Sequence, residues 1–308
     1  MPTLSQLEYI VAVDLHRHFG AAAQHCYVTQ PTLSMQIKKA EEELGLSLFD
    51  RSRQPIVPTE MGRLIIEQGR VILRERDRLH ELLAEFKNEL QGHLRLGIIP
   101  TLAPYLLPKF VGDFVRNYPK IKLEVLELST KDLAEALEKD QVDLGILITP
   151  FRQAKIHTIP LFYEEIQLYI HEQDPLFKKQ VVAAEELKGR SLWLLRQDHC
   201  FRNQMINLCK IPQEEQRLPF SFDSGSLEAL QRLVDQEGGF TLLPELACRA
   251  EQAPRLRPIS PKPLREVSLA HLHNFAKPRW IKILKEEILA ALPKRMQELQ
   301  GGQLVDWQ

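Results

Sequence analysis

Two cysteines nine positions apart are the residues best placed to do chemistry in this sequence. Cys200 follows His199 and precedes Arg202 by two positions, and Cys209 closes the run "CFRNQMINLC". We predict a helix that begins at Cys200, so that the helix N-terminus and the two basic side chains favour the thiolate and lower the pKa of the thiol. Peroxide oxidises a thiolate to a sulfenic acid, which a second thiol can capture as a disulfide.

The spacing of the pair decides what such a capture requires. Nine steps along an α-helix separate two Cα atoms by ~13 Å and place them on opposite faces, whereas a disulfide tolerates at most about 7 Å. A bond between Cys200 and Cys209 therefore cannot form on an intact helix and would couple oxidation to unwinding. The alternative is that both are small apolar core residues. The sequence has neither C-x-x-C nor metal-ligand spacing, which argues against thioredoxin-like exchange and a zinc site.

Composition limits the class of protein. The chain has 308 residues, enough for two or three domains with their own cores. We see no secretory signal and no run near the ~18 apolar residues of a membrane helix, and we expect a cytoplasmic protein, without a membrane partner, whose four cysteines rest as thiols. The net charge of −1 excludes nucleic-acid binding by bulk positive charge but allows a local DNA-reading surface.

The N-terminal residues 1–58 predict a winged helix-turn-helix. "LSQLEYIVAVDLHRHF" has one apolar helical face, and "FGAAAQHCYVTQPTLSMQIKKAEEELG" indicates helix, turn and helix, with Thr29 or Gln30 opening the second helix and Pro31 at its first position. "LFDRSRQPIVPTEMG" fits a two-stranded wing. Short polar side chains at the start of a second helix can read the major groove. The candidate base-edge residues include Thr32, Ser34 and Gln36, the candidate phosphate contacts are Lys38, Arg51 and Arg53, and Thr29 and Gln30 complete the surface.

Two features indicate that this unit works as a dimer. Residues 1–58 contain five Lys or Arg against six Asp or Glu, so tight binding requires two or more subunits on half-sites. Residues 59–91 then form a charged helical segment with apolar residues seven apart, such as Ile72 and Leu79. That repeat predicts a dimerising coiled coil, and the alternative is a helix packed on its own domain.

Residues 92–308 alternate strand-like and helix-like runs. "HLRLGII", "KLEVLEL", "DLGILI", "IQLYIH", "SLWLL", "FTLLP" and "EVSLAHL" read as strands, separated by amphipathic helices. This alternation predicts an α/β domain of two subdomains, one of about 92–162 and 268–300 and one of about 163–267. Thr101 follows the first strand at a helix start, which is the usual place for a ligand in an open α/β sheet. Of the other two cysteines, we expect Cys26 to be a small core residue of the helix-turn-helix and Cys248 to lie on a helix face.

Several of these stretches resemble one family. "FGAAAQHCYVTQPTLSMQIKKAEEELGLSLFDR" and the following "PTEMG" resemble the N-terminal domain of LysR-type transcriptional regulators, and the domain order is similar over nearly the whole chain. "GIIPTLAPYLLP", "DHCFRNQ" and "SLEALQRLV" resemble the peroxide-sensing OxyR branch. The resemblance implies a winged helix-turn-helix, a long linker helix and an α/β effector domain like a periplasmic binding protein, with two subdomains.

The resemblance also implies site residues and partners. Cys200 matches the peroxidatic cysteine and Cys209 the resolving one, and the residues that surround the sulfur and bound peroxide would be Thr101, Thr130, His199, Arg202 and Arg265. The sequence departs from the commonest pattern at Asp198, where Gly is frequent, and at Asn203, where Asp is frequent. The implied partners are double-stranded promoter DNA, hydrogen peroxide, further copies of the chain in a dimer or homotetramer, RNA polymerase and a cellular thiol reductant, with no cofactor and no metal.

Three functions compete at this stage. The leading one is a non-enzymatic transcriptional activator of oxidative-stress genes that is switched by a Cys200–Cys209 disulfide. The second keeps the DNA-binding half but makes the effector domain a metabolite receptor in which Thr101 and Thr130 hold polar groups and the cysteines are inert. The third is a thiol peroxidase, for which residues 30–38 and 60–90 would have no purpose.

Overall fold

The chain divides into two compact units, Met1–Glu89 with Asn274–Lys277, and Leu90–His273 with Pro278–Gln308. The computed structural model describes residues 1–86, 91–188, 190, 192–195, 199–210, 225–273, 275, 278–299 and 301–307, and for residues 80–86 the backbone alone. None of the helices in these ranges is long and apolar enough to cross a membrane.

The first unit contains the predicted helix-turn-helix. Its helices are α1 (Leu4–His16), α2 (Phe19–His25) and α3 (Gln30–Leu44). Each begins at a side chain that accepts a hydrogen bond from the helix backbone: Thr3, His18 and Thr29. Because Thr29 is the cap, Gln30 is the first helical residue and Pro31 the second, one position later than predicted. Pro has no N–H to lose in this first turn.

The predicted wing and linker helix follow. Strands β1 (Phe49–Asp50) and β2 (Val57–Pro58) pair antiparallel, and the Thr59 hydroxyl then caps α4 (Glu60–Phe86) by accepting the N–H of Gly62 at 2.9 Å. The core of this unit consists of buried apolar side chains from all four helices and the wing, among them Ile10, Val13, Ala22, Leu33, Ile37, Phe49 and Ile66.

The second unit is built on one mixed sheet. Its strand order is β4-β3-β5-β11-β6-β8, with β3 parallel to β4 and β5, and with β11 antiparallel to β5 and β6. The strands of this unit are β3 (Gly92–Ile98), β4 (Ile121–Glu127), β5 (Leu144–Thr149), β6 (Ile156–Ile170), β7 (Val182–Ala183), β8 (Phe240–Pro244), β9 (Leu256–Arg257), β10 (Ile259–Ser260), β11 (Pro263–Leu272) and β12 (Gln303–Leu304). Strands β7 and β10 pair with each other in a separate two-stranded sheet. The long strand β6 pairs with β11 along its first part and with β8 along its last five residues.

Five helices accompany this sheet in the described part of the second unit. They are α5 (Ala103–Asn117), α6 (Thr130–Glu138), α7 (Cys200–Cys209), α8 (Leu227–Glu237) and α9 (Pro278–Ala290). The α/β architecture is therefore as predicted. The predicted strand "SLWLL" is wrong over its described residues: Leu192 makes one isolated bridge to Phe240, and Trp193–Leu195 carry no strand pairing. Its apolar side chains are buried in the core, which produces the same sequence pattern as a strand.

Candidate functional site

Cys200 begins a helix, as its sequence context predicted. Helix α7 runs unbroken from Cys200 to Cys209, with His199 as an extended N-cap residue. Both cysteines are buried, Cys200 at 4% exposure and Cys209 at 0%. All four cysteines of the chain are free thiols in this structure. Cys200 and Cys209 therefore lie at opposite ends of an intact helix, ~13 Å apart along its axis.

Two polar side chains from distant parts of the chain act on the Cys200 sulfur, and a third contacts one of them. Thr130, the first residue of α6, provides a hydrogen bond that favours the thiolate, and the positive charge of Arg265 on β11 acts in the same direction. Nη1 of Arg265 lies 3.4 Å from the Thr101 hydroxyl, in the turn after β3. The structure thus brings together four of the sequence-predicted site residues, Cys200, Thr101, Thr130 and Arg265.

The net effect on the Cys200 pKa is opposite to the sequence-based expectation. Complete burial raises the pKa of the thiol, and this desolvation outweighs the hydrogen bond from Thr130, the charge of Arg265 and the backbone N–H groups of Phe201 and Cys200. His199 and Arg202, which we expected to lower the pKa, are not among these leading contributions. Sequence spacing identified the helix start correctly but could not show how deeply the sulfur is buried.

His199 and Arg202 flank Cys200 in the chain, and each has contacts of its own. The His199 ring is buried, at 5% exposure, and it lies where a side chain on Gly225 would be, since a Cβ there would come within 2.7 Å of Nε2. Nη1 of Arg202 donates to the carbonyl of Leu195 at 2.7 Å. Asp198, one of the two positions where the sequence departs from the commonest family pattern, lies outside the described residues.

Cys209 lacks the polar groups that oppose desolvation at Cys200. Burial alone raises the pKa of its thiol to about 12, and its side chain belongs to the apolar core of the second unit. The asymmetry between the two thiols is therefore clear: polar groups oppose desolvation at Cys200, and at Cys209 desolvation is the sole cause of the shift.

The C-terminal segment holds helix α7 through three side chains. Asn203, Gln204 and Asn207 each donate a side-chain N–H to a backbone carbonyl of residues 305–307, at 3.1, 2.8 and 2.8 Å respectively. The preceding β12 pairs with β11, which fixes the segment to the sheet. The departure from the family pattern at Asn203 acquires a physical meaning here, because an Asp carboxylate could not donate to the Trp307 carbonyl.

Glu164 on β6 is a charged residue of this region that the sequence did not single out. It is fully buried and pairs with Arg265 directly across the two strands. The run "LFYEEIQLYI" contains two adjacent Glu residues, and only the strand register shows which of them faces inward.

The other two cysteines are remote from α7 in sequence and have ordinary surroundings. Cys26 packs against the core of the first unit, as predicted. Cys248 was predicted to lie on a helix face, and that prediction is wrong: it follows a short 3-10 turn, and its thiol donates to the carbonyl of Pro244 at 3.5 Å.

The predicted DNA-reading residues of the helix-turn-helix are exposed or half-buried. Thr29, Gln30, Thr32 and Lys38 are exposed, and Ser34 and Gln36 are half-buried on the same helix. The Gln36 side chain is fixed by a hydrogen bond to the core, because its Oε1 accepts from Nε2 of the buried Gln6 at 3.2 Å. Each predicted phosphate contact has an acidic neighbour, with ion pairs Lys38–Glu42, Arg51–Glu41 and Arg53–Asp50.

We expect Lys38→Ala to weaken binding about equally for specific and random duplexes and to reduce the salt slope by roughly one, because a phosphate contact carries position and no sequence. Thr32→Ala is the matched variant: at a base edge it costs ~1–3 kcal/mol, mainly on the specific site. Fluorescence anisotropy over a salt series measures both. Equal salt slopes for Lys38→Ala and the unchanged chain would contradict the phosphate contact.

Helix α4 exposes an apolar stripe. Met61, Leu64, Ile72 and Leu79 are large apolar side chains with exposures of 50%, 57%, 40% and 60%. They lie on one side of the helix, and Ile72 and Leu79 are seven residues apart, which is the repeat of a coiled-coil seam. The opposite face is occupied, since Ile66 is buried in the core of the unit.

Both parts of the chain match known families. Residues 4–63 match the family described as "Bacterial regulatory helix-turn-helix protein, lysR family". Residues 87–293 match the family described as "LysR substrate binding domain". Together these matches cover the helix-turn-helix and most of the second unit.

Individual relatives agree with this assignment. A protein of Dickeya chrysanthemi, "Hydrogen peroxide-inducible genes activator", is 36% identical over 249 residues, covering 81% of each chain. A full-length OxyR variant from Pseudomonas aeruginosa has a TM-score of 0.79 at 33% identity, covering 94% of this chain and 98% of that one. A Corynebacterium glutamicum OxyR variant with hydrogen peroxide bound has a TM-score of 0.60 at 25% identity, covering 94% and 92%. The chain belongs to the LysR family of transcriptional regulators, and within it to the OxyR branch.

Proposed function

We propose that this chain is a peroxide-sensing transcriptional activator, and not an enzyme, whose signal is a disulfide between Cys200 and Cys209. The observation that carries the proposal is that Thr130 and Arg265, the latter in contact with Thr101, act on a cysteine that begins a helix ending at the second cysteine. The names of the relatives, which include a hydrogen peroxide-inducible genes activator and an OxyR structure with hydrogen peroxide bound, support the same oxidant.

The first step belongs to Cys200. Its thiolate attacks one oxygen of hydrogen peroxide, the O–O bond breaks, and the departing hydroxide takes a proton to leave as water. The groups that oppose burial at the sulfur, Thr130 and Arg265, also suit the stabilisation of charge on the departing oxygen. Because burial raises the pKa of Cys200, the thiolate fraction at neutral pH is small, and the rate should increase as pH rises towards that raised pKa.

The second step couples chemistry to shape. The Cys209 sulfur attacks the sulfenic acid, a disulfide forms and water leaves. A disulfide requires Cα atoms within about 7 Å, so α7 must come apart, and Cys209 must leave the core. We propose that this change repositions the two effector domains of a dimer against each other. The new arrangement alters how the two DNA-binding domains, residues 1–58 of each chain, bind promoter half-sites.

The remaining partners follow from this role. Residues 59–91 would be the dimerisation linker between the reading head, 1–58, and the effector domain, 92–308, and dimers would assemble into tetramers. Double-stranded promoter DNA would meet the surface of Thr29, Gln30, Thr32, Ser34, Gln36, Lys38, Arg51 and Arg53. Activation would involve RNA polymerase, a thiol reductant would reset the disulfide, and the protein would work in the cytoplasm.

Intact mass after stoichiometric peroxide tests this function. We expect the loss of two titratable thiols and of two hydrogens in mass, assigned to Cys200 and Cys209 by peptide mapping. Retention of both thiols would instead point to a metabolite receptor with inert cysteines. Continuous peroxide turnover by the purified chain with a thiol reductant, unaffected by loss of the DNA-binding unit, would point to a peroxidase.

We expect Asn207→Asp to favour the disulfide. The change keeps the size of the side chain but replaces its N–H donor with an oxygen that faces the carbonyl of Asp306, which removes one of the three bonds that hold α7 in its helical form. The loss of this exposed bond is worth ~0.5–1.5 kcal/mol, equivalent to a reduction potential more negative by about 10–30 mV. Equilibration with glutathione buffers measures the potential.

Gln297→Glu is the control for this prediction. It makes the same amide-to-acid change in the C-terminal segment, where Gln297 donates to the carbonyl of Leu289, away from α7. We expect it to leave the potential unchanged. A potential that is equally unaffected by Asn207→Asp would show that the C-terminal segment does not oppose the opening of α7.

A further inference from the structure

Beside the cysteine site lies a buried ion pair whose acidic member has no part in the function proposed above. Glu164 and Arg265 face each other across β6 and β11, and both side chains are 0% exposed. Nε and Nη2 of Arg265 both contact Oε1 of Glu164. The second oxygen, Oε2, accepts the N–H of Leu246 at 3.1 Å. Both carboxylate oxygens are therefore engaged, and Glu164 is fixed on two sides.

The opposite side of the guanidinium faces the cysteine site. Nη1 lies 3.4 Å from the Thr101 hydroxyl and Nη2 3.3 Å from the Thr101 carbonyl. The guanidinium carbon lies 5.0 Å from the centre of the Phe201 ring, and Phe201 is the residue after Cys200. The Arg265 guanidinium is therefore bound by Glu164 on one side and contacts Thr101 on another. It also lies over the Phe201 ring of α7.

The pair is ionic in this setting. Burial raises the pKa of Glu164, and the charge of Arg265 and the Leu246 N–H oppose that shift. A protonated Glu164 would leave Arg265 as an unpaired cation with no exposure to water, which is the costlier state. Further ionisable groups interact with this pair. They include Glu245, which pairs with Arg295, Cys248, whose pKa burial raises to about 12, and Tyr105, whose pKa burial raises and the charge of Arg265 lowers.

We propose that Glu164 is a positioning residue for the reaction of Cys200 with peroxide: it aligns Arg265 on Thr101 and offsets the positive charge that would otherwise act undiminished on the sulfur. The proposal rests on the proposed function, because the alignment has a purpose only if peroxide binds there. It has two separable consequences. The charge of Glu164 holds back the thiolate, and its hydrogen bonds to the guanidinium serve the attack on peroxide.

The test compares Glu164→Gln with Glu165→Gln in the full-length chain carrying Cys209→Ser. Glu165 is the matched control, since it is the next residue on the same strand and pairs with Lys262 at 3.3 Å. Two quantities are measured at Cys200 by peptide mass: the pH midpoint of alkylation by iodoacetamide, and the rate constant with hydrogen peroxide above that midpoint. Alkylation reports the thiolate alone, because iodoacetamide needs no alignment by Arg265.

We expect Glu164→Gln to move the two quantities in opposite senses. The alkylation midpoint falls by about one pH unit, because Arg265 then acts on the thiolate without its counter-charge. The peroxide rate constant falls about tenfold or more, because the guanidinium is no longer aligned. Glu165→Gln changes neither quantity. General loosening of the fold would also lower the midpoint by hydrating the sulfur, so the opposite signs identify positioning when hydrogen exchange over residues 200–210 in Glu164→Gln equals that in Glu165→Gln.

Glu164→Asp separates charge from alignment and also serves if Glu164→Gln fails to fold. It keeps the charge but withdraws the carboxylate by one methylene, so we expect an unchanged midpoint and a slower peroxide reaction. An unchanged or raised midpoint in Glu164→Gln, or a peroxide rate in Glu164→Asp equal to that of Glu165→Gln, would overturn the proposal. If Cys200 of the unchanged chain reacts with peroxide no faster than a free thiol, the proposed function fails instead, and the midpoints still decide the role of the charge.

Discussion

Replacing Cys200 by Ser abolishes the response to peroxide, whereas replacing Cys209 by Ser leaves a single oxidation without a disulfide. This is the largest effect that we expect in the effector domain. Thr130 and Arg265 oppose burial only at Cys200, while burial raises the pKa of Cys209 to about 12. Peroxide oxidation of the Cys200→Ser chain should fall at least about a hundredfold, to the rate of an unactivated thiol. Stopped-flow kinetics and intact mass measure both variants.

The Cys209→Ser chain then isolates the first step. We expect a sulfenic acid at Cys200 that a dimedone probe traps, followed by irreversible oxidation with excess peroxide. Hydrogen exchange within residues 200–210 should rise on oxidation of the unchanged chain and stay low in Cys209→Ser, because the disulfide and not the sulfenic acid demands that α7 unwind. Cys248→Ser is the control and should behave like the unchanged chain.

Two results would contradict this order of events. If Cys209 in the Cys200→Ser chain reacts with peroxide as fast as the unchanged chain does, the asymmetry between the two buried thiols does not direct the chemistry. If the disulfide forms in the unchanged chain without any change in exchange over α7, the coupling of oxidation to unwinding is wrong.

Local sequence carried enough information for the elements around the cysteines and too little for their environment. The start of α7 at Cys200 was predictable because helix character begins there. The rise in its pKa was not, because burial depends on packing from α6, β11 and the core, which no short stretch encodes. Cys248 shows the same limit at smaller scale: the apolar run before it read as a helix face, but the chain makes only a 3-10 turn.

The polar residues of the site illustrate a different limit. Thr101, Thr130 and Arg265 lie far apart in the chain and are brought to one region because β3 and β11 belong to one sheet against which α6 packs, so spacing could not assemble them and family resemblance was needed. Glu164 escaped because it stands next to Glu165 in a strand, and sequence does not tell which of the two faces inward. Register on β11 decides this, by setting Arg265 opposite Glu164.

The wing and the second helix of the helix-turn-helix could be predicted because they depend on short stretches of sequence. Their signals are local: a Thr cap at α3, apolar side chains at helical spacing, and a Pro-containing turn between β1 and β2. Even here one detail required the structure, since Gln36 was predicted to face DNA freely but is tethered by Gln6.

Leu79→Asp should break the dimer and abolish specific DNA binding while the effector domain stays folded. Leu79 is 60% exposed on α4 in the single chain, and it shares the apolar face with Ile72 and Leu64. In a coiled coil that face is buried against the partner helix, so the Asp must either lose its hydration or separate the helices. Burying such a charge costs several kcal/mol, which weakens dimerisation by about a thousandfold or more.

Two control variants make this prediction specific. Leu79→Met keeps an apolar side chain of similar volume on the stripe and should leave the dimer intact. Arg78→Asp makes a larger charge change one residue away, off the stripe, where the side chain is 58% exposed, and should also preserve dimerisation. Sedimentation velocity gives the assembly state, and binding to a palindromic site against a single half-site gives the DNA readout. Two linked DNA-binding domains on one duplex act at high effective concentration. Only Leu79→Asp should therefore bind the palindrome no better than the half-site. An unchanged assembly state in that variant would show that residues 59–91 are not the dimerisation helix.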